Sequence, residues 1–259
     1  MATAGGAEGS GVTGRTIVVV LCLLATLFSI PAASHTGLVT WTSLAASSPA
    51  FVAMAISQYL APRPRYLEPL FGGLDRIYHF HRQVGMAALA LILVHYFLTP
   101  DFQGKQLTAG LNAAAKQVAS WGFYGLVALI GLSLVTKWEV PYNLWRQSHR
   151  FMGVFFMLIA FHQAFIKRPF EGTALLASYL NLFAAIGILS FLYTQFVAFF
   201  KKRRYEVTDV IRLPAATIIE ARPVRSAIRA MPGQFGFLSF AKAGVREPHP
   251  FTIAGLAPD

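Results

Sequence analysis

The chain has 259 residues, of which 55% are hydrophobic and only 13% charged. That balance excludes an ordinary water-soluble helical domain, which needs polar helix faces, and points to a protein of the bilayer. The formal net charge of +11 lies mostly in loops and after the last apolar run, so it reads as membrane orientation rather than as a surface for nucleic acid.

Residues 1–15 are small, polar and glycine-rich, and are expected to be disordered. Within them Gly9-Ser10-Gly11-Val12-Thr13-Gly14 matches a dinucleotide fingerprint, but it follows no strand and reads as chance. The first apolar run extends from Ile17 to Ala33. Ala32-Ala33-Ser34 would suit a signal-peptide cleavage site, yet the leader is poor in positive charge and an uncleaved span is expected. The single Cys22 in that run allows no disulfide framework.

Length and lack of charge predict six membrane spans, at about residues 16–34, 43–61, 78–98, 118–136, 149–167 and 175–200. The second is the least apolar, being rich in Ala and Ser. Arg63, Arg65, Arg76, Lys137, Arg146, Arg150 and the run Lys201 to Arg204 fall on one side of such a bundle. The opposite loops carry Lys105, Lys116, Lys167 and Arg168, partly offset by Asp101 and Glu171. The positive-inside rule then places both termini in the cytoplasm of a cell-membrane protein. Trp41, Trp121, Trp138 and Trp145 fall near span ends, as an aromatic belt would have them.

Four histidines lie on two of these spans. His81 and His95 are 14 residues apart, and His149 and His162 are 13 apart. At 1.5 Å per residue these steps separate each pair by roughly 20 Å along the helix axis. An ionisable side chain inside a membrane marks function by default. Side by side, the two spans would set His81 against His149 and His95 against His162, one pair near each surface. Zinc wants four ligands at one point, whereas a heme iron takes two axial imidazoles, so two stacked hemes fit these pairs better. A step of 13 swings its second histidine by about 140° on an ideal helix, which predicts a bulge or kink near His162, or a heme approached from the side.

His81 and His149 share the pattern His-Arg-x-x-Gly. Gly85 and Gly153, one turn beyond their histidines, would leave room for a flat macrocycle. Arg82 and Arg150, at the membrane surface, would hold heme propionates. His79 lies about 160° from His81 on a helix and is expected at the surface; His35 is expected in an outer loop.

After Arg204 the pattern changes. Tyr205 to Leu213, Thr217 to Arg222 and Phe235 to Phe240 alternate as strands, punctuated by Pro214, Pro223 and Pro232-Gly233. The three domains predicted are a disordered 1–15, a transmembrane bundle over 16–200 and an incomplete β domain over 201–259.

The histidine pairs resemble those of the ferric reductase and NADPH oxidase superfamily, the transmembrane di-heme flavocytochromes b. The segment His249-Pro250-Phe251-Thr252 looks like that family's flavin-contact motif, and Pro232-Gly233-Gln234-Phe235 resembles the strand before it. The resemblance implies an all-α membrane protein, a six-helix transmembrane bundle followed by the start of a cytoplasmic β-barrel flavin domain. It implies two heme b, the inner on His81 and His149 and the outer on His95 and His162, with FAD against His249, Pro250, Phe251 and Thr252. Electrons would pass from NAD(P)H to FAD, through both hemes, to a small acceptor on the outer side, ferric iron or oxygen. The nicotinamide domain is expected in a longer protein or a separate reductase, and FAD is expected to bind this stretch weakly or not at all. Two other functions stay open: a heme-bearing membrane subunit that serves a periplasmic partner protein, and a non-redox membrane protein whose histidines bind a metal ion.

Overall fold

In the computed structural model, residues 5–99, 110–135, 141–166, 173–197, 202–228, 235–240 and 249–255 are described. The chain divides into two compact units, Met1–Phe199 and Phe200–Asp259.

The first unit is helical. Helix α1 runs Gly5–Phe28 and ends in a 3₁₀ turn, Ile30–His35. Residues 5–15 are therefore helical and not disordered as the glycine content suggests. Helix nucleation is the costly step, and the apolar residues that follow supply it, so the helix propagates back through a poor sequence. Helix α2 (Leu38–Leu60) follows, then the short α3 (Glu68–Phe71) and the long α4 (Leu74–Leu98). Helix α5 is Gly110–Val135, α6 Tyr142–His149, α7 Met152–Phe165 and α8 Ala174–Leu192, the last continuing into a π turn, Tyr193–Val197.

Five stretches among the described residues are long and apolar enough to cross a bilayer: Val12–His35, Leu38–Leu60, Leu74–Leu98, Gly110–Leu134 and Ala174–Phe196. The span predicted at 149–167 is different. It is divided between α6 and α7, and α7 has 14 residues, or about 21 Å, against a hydrocarbon core of about 30 Å. Arg150 N–H donates to the Gln147 carbonyl (3.2 Å) and Phe151 N–H to the Ser148 carbonyl (2.9 Å), so the joint between the two helices is tightened to three-residue turns.

The Ala- and Ser-rich span, α2, is the centre of the bundle. Its best apolar window is 56% buried, against 22% for the first span, and it packs on α1, α4 and α8. Small residues let these backbones approach, which is how helices associate where lipid removes the hydrophobic drive. Phe156 of α7 shows the closeness: it stacks on Phe51 of α2 at 5.4 Å and fills the space where Gly187 of α8 lacks a side chain. Pro49 lies inside α2 and has no N–H to give the Ala45 carbonyl. The Thr26 hydroxyl of α1 donates to that carbonyl instead, at 3.4 Å. The Tyr179 hydroxyl of α8 ties to the Leu21 carbonyl of α1 at 2.8 Å.

The second unit holds two antiparallel pairs. Strand β1 (Tyr205–Arg212) pairs with β2 (Thr217–Pro223), with a bulge between Val207 and Asp209. Strand β3 (Phe235–Leu238) pairs with β4 (His249–Thr252). The described strands form two separate two-stranded sheets, and the predicted barrel is not formed by them. Val207, Val210, Ile211 and Ile218 stay exposed on β1 and β2, because a single hairpin has no second layer to bury them against.

Candidate functional site

The 14-residue step between His81 and His95 lies on one uninterrupted helix, α4. Both histidines are held by α2. His95 Nδ1 lies 2.9 Å from Ser43 Oγ and 3.2 Å from the Ser43 carbonyl oxygen. The His81 ring hydrogen-bonds the backbone of Ser57. Ser43 and Ser57 are themselves 14 residues apart, so the antiparallel α2 carries a supporting partner at each histidine level.

Helix α5 does the same for the other two. His162 Nδ1 is 3.2 Å from the Ala115 carbonyl, and His149 Nδ1 is 3.3 Å from Ser133 Oγ. Carbonyl oxygens only accept, so His162 and His95 donate from Nδ1. A neutral imidazole that carries its proton on Nδ1 presents a bare Nε2, the arrangement typical of a metal-bound histidine.

The inner pair is brought together directly. The His81 and His149 ring centres are 6.3 Å apart, with planes at 68°. Two imidazoles bound to one metal through nitrogen at about 2.0–2.1 Å would have ring centres roughly 6 Å apart. His95 and His162 each occupy the last turn of their helix.

The irregularity predicted near His162 is found instead at Arg150–Phe151, directly after His149. A 3₁₀ step turns about 120° rather than 100°. Three such steps reduce the 140° mismatch to roughly 80°. The joint therefore brings the 13-residue step part of the way back toward one face, at its beginning.

The two glycines differ. A Cβ at Gly85 would meet nothing within 4 Å. A Cβ at Gly153 would lie 2.0 Å from the Phe191 ring, so α8 fills the space that the repeat suggested for a macrocycle. The arginines differ too. Arg82 is exposed, whereas Arg150 donates to Gln195 Oε1 at 2.7 Å, on the α8 side. His79 and His35 are both exposed.

The residues fit a planar group with an axial ligand on each face. Helix α4 packs on α2 and α7 on α5, while α4 makes little contact with α6 or α7 among the described residues. No three His, Cys, Asp or Glu side chains converge among the described residues, and His81 and His149 meet as a pair.

In the second unit, His249, Pro250, Phe251 and Thr252 form β4, and Phe251 packs edge-on against Phe240 at 6.0 Å. Pro232, Gly233 and Gln234 lie outside the described residues.

Residues 46–160 match the family model for the ferric reductase like transmembrane component. This segment is similar to that family. No curated protein matches the chain. The matched ferric reductase-like segment runs from α2 into α7 and holds His81, His95 and His149, with His162 two residues beyond it. The match is to a transmembrane component, in keeping with the long apolar helices among the described residues.

Sequence reading missed the partners of the histidines in this ferric reductase-like bundle: Ser43, Ser57, Ser133 and the Ala115 carbonyl. Ser43 and Ser133 act through their hydroxyls, whereas Ser57 and Ala115 act through the backbone, which has no sequence signature.

Proposed function

We propose that the chain is the di-heme transmembrane part of an oxidoreductase, moving electrons from a cytoplasmic NAD(P)H and FAD module to ferric iron or oxygen outside. His81 and His149 hold the inner heme, and His95 and His162 the outer one. Each b-type heme iron, when bound, accepts and releases one electron without opening a coordination position. The chain's residues do the rest. Helices α2 and α5 orient the four rings, so that little rearrangement accompanies electron transfer. The vertical spacing on α4 divides about 30 Å of hydrocarbon into shorter steps. His249, Pro250, Phe251 and Thr252 are proposed to contact the flavin, and Arg82 a propionate of the inner heme. The positive loops orient both termini to the cytoplasm.

The observation that carries this reading is the inner pair, with ring centres 6.3 Å apart and the Nδ1 of His149 turned to Ser133. The test is a heme-to-protein ratio on detergent-purified chain from heme-replete cells, with a dithionite-reduced minus oxidised spectrum. Two low-spin b-type hemes per chain are expected. A folded preparation without heme overturns the proposal and favours a histidine metal site of another kind.

A further inference from the structure

The Ser133 hydroxyl of α5 joins two elements of this arm. Its oxygen lies 2.8 Å from the Leu129 carbonyl, 3.1 Å from Trp145 Nε1 and 3.3 Å from His149 Nδ1. A hydroxyl has one proton and two lone pairs. The Leu129 carbonyl cannot donate, so the serine proton goes there. The indole N–H can only donate, so Trp145 takes one lone pair. The same oxygen lies within hydrogen-bond distance of His149 Nδ1 and can accept from an Nδ1–H, the tautomer that leaves Nε2 bare.

Trp145 has a second hold on the same ring. It precedes His149 by one turn of α6, and the two rings stack with centres 5.2 Å apart and planes at 29°. Stacking fixes the plane of the imidazole, and the hydrogen bond fixes its rotation within that plane. Residues 150–151, where the helix is irregular, lie immediately beyond. A histidine at a helix joint has less support from its own backbone than one inside a continuous helix such as α4, and Ser133 and Trp145 supply it from outside.

We propose that Ser133 and Trp145 are positioning residues for His149, holding it in the Nδ1–H tautomer and in one ring plane so that Nε2 faces the inner heme iron. This rests on the di-heme reading. Donation from Nδ1–H raises the basicity of Nε2, which favours the ferric state.

The test uses the full chain, with potentiometric titration and low-temperature electron paramagnetic resonance of the ferric hemes. The inner heme is identified as the one absent in His149→Ala. Ser133→Ala is expected to raise the midpoint potential of that heme and move its largest g value, with the other heme unchanged. Ser133→Thr, which keeps the hydroxyl, is expected to restore both. Trp145→Phe, which keeps a stacked ring without the N–H, is expected to give a smaller shift in the same heme. Wild-type potentials and g values in Ser133→Ala overturn the inference, as do equal shifts in both hemes or failure of threonine to restore them. If Ser133→Ala does not accumulate in membranes, Trp145→Phe and Ser133→Thr decide by the same readings, and an unchanged Trp145→Phe overturns the inference. Wild-type chain without heme would instead overturn the di-heme reading.

Discussion

The two histidine-bearing arms reach similar ends by different means. In the first, α2 and α4 are both continuous, the histidines are 14 residues apart, and their supports on α2 keep the same spacing. In the second, the histidines are 13 apart, the helix is broken after His149, and the supports on α5 are a serine hydroxyl and a backbone carbonyl. A step of 14 nearly returns to the same helix face, so the first arm needs no correction. A step of 13 does not, and the second arm carries a tightened turn and a stacked indole. The general point is that a ligand pair can be set either by sequence spacing alone or by a backbone irregularity with outside support.

The largest test of this comparison removes ligands. Alanine at His81 or His149 is expected to remove chiefly the inner heme, and alanine at His95 or His162 only the outer. Heme-to-protein ratios falling from two to one, with a different spectral component lost in each set, would bear this out; an unchanged ratio in any of the four variants would break the pairing.

The glycines provide the next contrast. Gly153→Ala drives a methyl into the Phe191 ring and is expected to destabilise the bundle by about 1–3 kcal/mol, read as a lower unfolding temperature in detergent. Gly85→Ala meets open space in the chain itself and is expected to leave unfolding unchanged or slightly raised, while weakening retention of the inner heme. If both variants behaved alike, the difference between the arms would be lost.

The arginines give the smallest effect. Arg82→Ala is expected to speed loss of the inner heme to apomyoglobin without abolishing binding. Arg150→Ala breaks the bond to Gln195 and is expected to leave that rate nearly unchanged. The reverse order would return the propionate contact to Arg150.

Much of the site was legible because a helix is a ruler. The pairing of His81 with His149 required only axial rise and span length, and the two rings do meet. The span predicted at 149–167 differs from the others, because the polar α6 ends at His149 and the apolar α7 beyond it is short. The disorder expected at 5–15 failed because a long helix extends cooperatively into residues that could not start one. The weakness of α2 as a span was a misread strength. Its Ala and Ser content reflects contact with other helices rather than with lipid.

Sequence by itself determined the membrane character, the four histidines and their spacing along each arm, and the strand pattern after Arg204, because composition, axial rise and alternation are local properties. Only the tertiary structure decided which helix supports which imidazole, where the phase of the second arm is corrected, and that Gly85 faces open space while Gly153 faces Phe191. Those depend on side chains distant in the chain meeting across helix interfaces, and spacing along one helix carries no information about its neighbours.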